Sequence, residues 1–163
     1  MSISETDIAY ICGWLDGEGC FSIYKQKRKG MMAGFDYTPS MSFSNTDKKV
    51  VLWVMGKLNI AETKSKPYKD RNMASGKTLW SVKITKYSEL IRILPLLTKL
   101  ITKKVEAEIL LDFCKRRTKR WKLFRESRKR GDDGKFRKEN LPLLTQEDTI
   151  AYKKLKELKK KCD

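Results

Sequence analysis

The sequence predicts an α+β fold: helix, hairpin, helix, hairpin, helix, with the two hairpins joined in an antiparallel four-stranded sheet and a helical extension at the C-terminal end. Three observations predict it. Apolar residues recur at helical spacing after Ser4, the stretches 20–28 and 37–44 alternate apolar with polar side chains, and this helix-plus-hairpin unit is followed by a second one before the chain turns helical. The 163 residues suit one domain and fall short of two, with a core over about 4–120 and a basic helical extension over about 121–163.

Ser4-Glu5-Thr6-Asp7 has the chemistry of a helix start, and Ile8, Ile11, Cys12 and Leu15 follow on one face, which predicts a helix over 5–17. Gly17 and Gly19 lower helix propensity and permit unusual backbone angles, so the helix is expected to end there with Glu18 on the exit turn. Cys20 to Arg28 then sets Phe21 and Ile23 against Ser22, Tyr24, Gln26 and Arg28. A loop over 29–36 leads to a second strand over 37–44, in which Met41 and Phe43 oppose Thr38, Ser40, Ser42 and Ser44.

Asn45-Thr46-Asp47 offers three capping residues before Val50, Val51, Val54, Met55 and Leu58, which predicts a helix over 47–58. A second hairpin is expected with arms over 62–71 and 77–85 and a turn at 72–76, Pro67 marking an edge or a bulge. Helices over 87–97 and 102–120 follow, the first kinked or split at Pro95. Thr145-Gln146-Glu147-Asp148 caps a last helix to about 161. The polar strand parity leaves one sheet face open, the expected binding surface.

Charge narrows the function. Lys and Arg number 37 against 20 Asp and Glu, a formal charge of +17 spread over the chain, and such a surface favours a polyanion, nucleic acid first. The plain alternative is solvated lysine on exposed helices. With no histidine, Ser-His and Cys-His nucleophiles and nucleases built on a histidine base are excluded, leaving carboxylates, lysine and metal. Cys12, Cys20, Cys114 and Cys162 form no C-x-x-C pair, so they are expected as reduced thiols. The first residues lack a signal peptide's pattern and no run is long enough to span a bilayer; the expectation is a soluble, intracellular protein with no membrane partner.

Ala9, Gly13 and Gly17 fall four apart, three small residues in line on one helical face where a second backbone can approach closely. That partner is either this chain's own sheet or a second copy. The nine residues Ile11-Cys12-Gly13-Trp14-Leu15-Asp16-Gly17-Glu18-Gly19 resemble, position for position, the motif that names the LAGLIDADG homing endonucleases. The alternation of helices and hairpins is also similar to that family's core, over about 4–120.

The resemblance implies a single-motif homodimer with double-stranded DNA as partner: paired motif helices, the four strands of each chain as a saddle in the major groove, and hydrolysis of both strands of a long pseudo-palindromic site to a staggered break. It implies homing of a host intron, with Mg2+ as cofactor and Mn2+ or Ca2+ able to substitute for binding. An RNA maturase, or a DNA-binding protein of the same fold that does not cut, is the alternative. By match to the motif, Glu18 is the metal ligand and catalytic acid, the Gly19 carbonyl a second ligand, and Asp16 structural. A helix-end acid without metal is the plain reading of Glu18.

By position, Asp47 stands where relatives carry a Gln or Asp, and is otherwise a plain helix-start acid. Lys103 matches the active-site lysine, with Lys104 as fallback, or either is simply solvated. The chain departs from several relatives at Val50 and Val51, where they carry a basic residue; Lys48 or Lys49 is the available substitute. Strand parity assigns Ser22, Tyr24, Gln26, Arg28, Thr38, Ser40, Ser42, Ser44, Lys64 and Lys66 to DNA, Arg28 suiting guanine and Gln26 adenine. In the last strand Trp80, Val82 and Ile84 look buried although family position puts Thr78 and Trp80 near DNA; charge favours Lys77 and Lys83. The run from 115 to 138, with 13 Lys or Arg, is expected either to grip flanking phosphates or to be a disordered basic segment.

Overall fold

The computed structural model describes residues 3–29, 33–60, 68–70, 78–127 and 144–160. Helix α1, Glu5–Glu18, begins at a closed capping box: Ser4 Oγ accepts from the Asp7 amide at 3.1 Å, and the Asp7 carboxylate accepts from the Ser4 amide at 3.2 Å. Ile11, Cys12 and Leu15 point into the core. The helix runs through Gly17, and Gly19, at φ −77°, is in ordinary extended backbone. The expected reason for the terminal glycine is therefore corrected. A Cβ on Gly19 would stand 2.5 Å from the Leu15 carbonyl oxygen, so the position needs glycine for close approach and not for an unusual angle.

Strands β1 (Cys20–Lys27) and β2 (Phe35–Asn45) form the first hairpin, in register from Cys20 opposite Ser42 to Lys27 opposite Phe35. The second strand starts two residues before the expected Tyr37. The ladder closes at the Arg28 amide, which donates to the Gly34 carbonyl at 3.0 Å, and Gly34 turns the chain at φ +68°, a conformation glycine adopts without penalty. Helix α2, Lys48–Lys57, is capped by Asp47.

In the second unit, β3 (Tyr68–Asp70) pairs with β4 (Leu79–Ile84), and β4 pairs with residues 41–45 of β2, giving an antiparallel sheet in the order β1-β2-β4-β3. Pro39, which lacks an amide donor, lies in the part of β2 that β4 does not pair. The rest of the expected 62–71 and 77–85 arms and their turn fall outside the described residues.

Pro95 ends α3 (Tyr87–Ile93) in a 3-10 turn, Leu94–Leu96, so the expected split occurs. Helix α4, Lys104–Ser127, starts two residues later than expected and continues seven beyond Arg120, which makes the first half of the basic run regular helix. Helix α5 is Gln146–Lys160.

Phe21, Met41, Phe43, Val82 and Ile84 share the sheet's inner face and pack with Ile11 and Leu15 of α1, Val51 and Val54 of α2, Leu90 of α3, Leu110 and Phe113 of α4 and Leu155 of α5. Trp80 has the same parity as Val82 and is packed against this core, which favours the burial reading over the family position. Among the described residues, no helix is long and apolar enough to cross a membrane.

Candidate functional site

Two chain segments meet at the C-terminal end of α1. The Asp16 carboxylate accepts from the amides of Ile101 (2.8 Å), Thr102 (3.1 Å) and Lys103 (2.9 Å) and from the Thr102 hydroxyl (2.9 Å). Desolvation would raise its pKa, but these hydrogen bonds outweigh it and hold the carboxyl below the usual range. Because three amides of the segment before α4 are taken by Asp16, Lys103 is fixed at its backbone.

Its side chain returns the contact. Lys103 Nζ donates to the carbonyls of Leu15 (3.3 Å), Gly17 (3.0 Å) and Gly19 (2.6 Å), placing an ammonium on the negative pole of the helix. Glu18, exposed, stands between two of those carbonyls in sequence. The predicted Glu18, Gly19 and Lys103 are thus brought together, and Asp16 has the structural place expected of it.

Lys104 does not share this position. It borders a cleft with Leu94, Pro95, Leu97 and Thr98. Asp47 is placed as a helix cap: it accepts from the Lys49 amide at 2.8 Å, while its own amide donates to Asn45 Oδ1 at 2.8 Å. Lys48 Nζ lies 4.5 Å from the Trp80 ring centroid, and Lys49 lines a groove with Tyr10 and Trp53.

The small-residue stripe is bare. Ala9, Gly13 and Gly17 are exposed, and a Cβ built on either glycine meets nothing within 4 Å. Among the described residues, none of the sheet packs on this stripe, which goes against one of the two readings of the spacing. Tyr10 is 58% exposed beside the stripe and meets Trp53 edge to face.

On the sheet's outer face, register sets Tyr24 opposite Thr38, Gln26 opposite Asp36 and Lys83 opposite Ser42. Tyr24, Gln26, Arg28 and Lys83 are exposed, and Thr38, Ser42 and Ser44 partly so. Neighbours brace several of them: Thr38 Oγ1 donates to Gln26 Oε1 at 3.1 Å, and Lys83 Nζ lies 4.3 Å from the Tyr24 ring centroid.

Two predicted contacts are corrected. Ser40 is fully buried, on the diagonal between Tyr24 and Lys83, which meet each other at 4.3 Å. Ser22, 7% exposed, is covered by Lys159 of α5, whose ammonium donates to the Ser22 hydroxyl and meets the Cys20 sulfur at 2.9 Å. Neither serine can reach a base edge in this structure. Lys64, Lys66 and Lys77 lie outside the described residues.

The basic run is corrected in part. Arg117, 1% exposed, is buried and donates to Asp36 at 2.6 Å, and Arg120 grips both oxygens of the buried Asp148 at 2.6 and 2.7 Å. Arg117 ties α4 to the sheet, and Arg120 ties α4 to α5. Lys115, Lys119, Lys122 and Arg125 remain exposed, while residues 128–138 are outside the described residues.

Asp36, Arg117 and Lys159 are the residues that sequence reasoning missed. Arg117 had a signal: it continues the apolar stripe Leu110, Phe113, Cys114 at helical spacing, where a charge demands a buried partner. Glu106 was missed as well. It is 8% exposed in the first turn of α4, and burial pushes its carboxyl up against the pull of Lys159 and Lys103. Of the described cysteines, Cys12 and Cys114 are buried, the latter thiol pushed up by burial to about 12.

The α1 helix end, where three carbonyls converge on the Lys103 ammonium, thus lies in an α+β fold with helices on one face of an antiparallel four-stranded sheet. Solved structures specify it further. The homing endonuclease I-CvuI, in complex with the I-CreI target in the presence of magnesium, superposes with a TM-score of 0.57 at 18% identity, covering 93% of this chain and 96% of that one. The archaeal intron-encoded homing endonuclease I-Vdi141I, complexed with DNA, gives 0.60 at 15% identity over 95% and 98% of the two chains. The homing endonuclease I-TnaI gives 0.55 at 16% identity over 100% of both. No family model matches the chain, and no curated protein matches it in sequence. The chain has the homing-endonuclease fold, as the resemblance of residues 11–19 implies.

Proposed function

We propose that this chain is a site-specific double-stranded DNA endonuclease that acts as a homodimer and hydrolyses both strands with a divalent metal. The observation that carries the reading is the end of α1, where an exposed carboxylate, a cation-binding set of carbonyls and a fixed ammonium lie beside a bare helical face. That I-CvuI and I-Vdi141I were solved with DNA supports the same substrate class here.

The donors fit a hard divalent cation in kind. Glu18 offers a carboxylate, and the Gly19 carbonyl, which accepts from the Lys103 ammonium at 2.6 Å, is an oxygen donor that would help hold such a cation. They do not complete a coordination set within one chain: among the described residues, no group of three or more acidic, Cys or His side chains is close enough to hold a metal. The second Glu18 would come from a second copy, with its bare stripe facing the first. When bound, Mg2+ supplies Lewis-acid stabilisation of charge on the phosphate, with Mn2+ or Ca2+ as substitutes for binding.

The chain's own residues divide the remaining work. Glu18 binds the cation, Lys103 brings a positive charge to the scissile phosphate, and Asp16 keeps Lys103 in place. Tyr24, Gln26, Arg28, Thr38, Ser42, Ser44 and Lys83 read or position the duplex. Asp47 orders the start of α2, and a catalytic part for it is the less supported half of the proposal.

Glu18→Gln tests the reading. It removes the charge and keeps the helix end, so cleavage in Mg2+ is expected to fall by about a hundredfold or more while binding to the selected site persists. Normal cutting by the variant would refute the assignment. A wild-type chain that binds one DNA sequence but leaves it intact with Mg2+ or Mn2+ would favour the non-cutting alternative.

A further inference from the structure

The open end of the β1–β2 hairpin carries a chain of alternating charges. Arg28 Nη1 donates to Asp36 Oδ2 at 2.9 Å; Asp36 Oδ1 accepts from Arg117 Nη2 at 2.6 Å and from the Tyr37 amide at 2.8 Å; Arg117 Nη1 lies 3.6 Å from Asp148, which Arg120 grips. The inner members are buried, with Asp36 and Asp148 side chains 7% and 0% exposed and that of Arg117 2% exposed. Arg28, at the outer end, is 63% exposed.

This arrangement is more than the fold requires. Asp36 already has a buried cation in Arg117 and a backbone amide, and an added ion pair to an exposed arginine contributes little to stability. What the pair does is remove freedom from Arg28. Strand parity puts Arg28 on the outer face with Gln26 and Tyr24, and Asp36, opposite Gln26, is its diagonal neighbour, within reach of a long side chain. Of the five N–H donors of a guanidinium, the contact with Asp36 uses one and leaves an exposed edge that can make the two parallel bonds that guanine O6 and N7 accept.

We propose that Asp36 is a positioning residue for specificity: its buried carboxylate holds the Arg28 guanidinium in one orientation to read a guanine in the major groove. The relay through Arg117 and Asp148 ties that orientation to α4 and α5, so the helical extension supports a base contact it does not touch. This rests on the DNA-endonuclease reading above. Binding a guanine with a side chain already ordered avoids part of the entropy cost of fixing a free arginine.

The test is selection of bound duplexes from a randomised library by the full chain in Ca2+, with wild type, Arg28→Ala, Asp36→Asn and the double variant. Wild type is expected to select guanine at a symmetric pair of positions. Arg28→Ala loses that preference by about tenfold to a hundredfold, Asp36→Asn weakens it at the same positions and no others, and Asp36→Asn adds nothing once Arg28 is Ala.

Asp36→Asn leaves a buried Arg117 without its partner. Asp36→Asn with Arg117→Met removes the orphaned charge, and it is expected to show the same position-specific loss. An Asp36 variant that keeps wild-type preference, or loses affinity evenly at every position, overturns the inference while leaving the endonuclease reading intact. If the wild type enriches no duplex at all, both fall.

Discussion

The two sides of α1 are built on opposite terms. Ile11, Cys12 and Leu15 are fully buried in the core, whereas Ala9, Gly13 and Gly17, around the same helix, are exposed, and a Cβ built on either glycine meets nothing within 4 Å among the described residues. Glycine inside a helix costs about 1 kcal/mol relative to alanine. Among the described residues that side gains no packing from its glycines and still carries two of them, which supports the proposed second copy as the surface it meets.

The comparison is broken most severely from the inner side. Leu15→Ala removes a fully buried side chain and is expected to cost about 2–5 kcal/mol in urea unfolding. A cost below about 1 kcal/mol would mean that the inner side is not what holds α1 in place.

Next in size is the helix end. Asp16→Asn weakens an acceptor that serves three amides and a hydroxyl, at an expected cost of about 1–3 kcal/mol. The pH dependence has a definite sign. Because the Asp16 carboxyl is held below its ordinary value, its contribution is fully present above about pH 4 and is lost as pH falls through the lower folded value. Unfolding curves from pH 6 to 3 should therefore converge for wild type and Asp16→Asn at the acid end. Parallel curves would show that Asp16 is not charged in this role.

The smallest effect is the most discriminating. Gly13→Ala is expected to stabilise the isolated chain by about 0.5–1 kcal/mol, since the new methyl meets nothing. Gly13→Leu, with a larger side chain on the same spot, should leave that fold intact and abolish self-association in sedimentation equilibrium. Wild-type association by Gly13→Leu would place the partner surface elsewhere and remove the basis for a site shared between two copies.

Much of the fold was legible because its signals are local. The capping box at Ser4, the alternation in β1 and β2 and the break at Pro95 each act within a few residues, and each element lies within a few positions of where the pattern puts it. At the site, the helix end that carries Glu18 and Gly19 was readable, and with it the structural place of Asp16. Parity also separated Trp80 from Lys83 correctly. Parity did not foresee the burial of Ser22 and Ser40, because a strand pattern says which face a side chain takes and not what crosses above it. Ser22 is covered by Lys159, 137 residues away in sequence.

What the sequence by itself determined is the set of elements and the chemistry available to them: a small-faced helix ending in an acid, strands with one polar face, lysine in place of histidine, and charge for a polyanion. Tertiary structure alone decided which groups act together. It set Lys103 and not Lys104 on the carbonyls of α1, buried Arg117 against Asp36 and set Arg28 on the same buried carboxylate. The physical reason is range. Periodicity and capping energies act over one or two turns, while a hydrogen bond between residues 85 positions apart, such as Asp16 to Ile101, forms only after packing has brought the two segments within 3 Å.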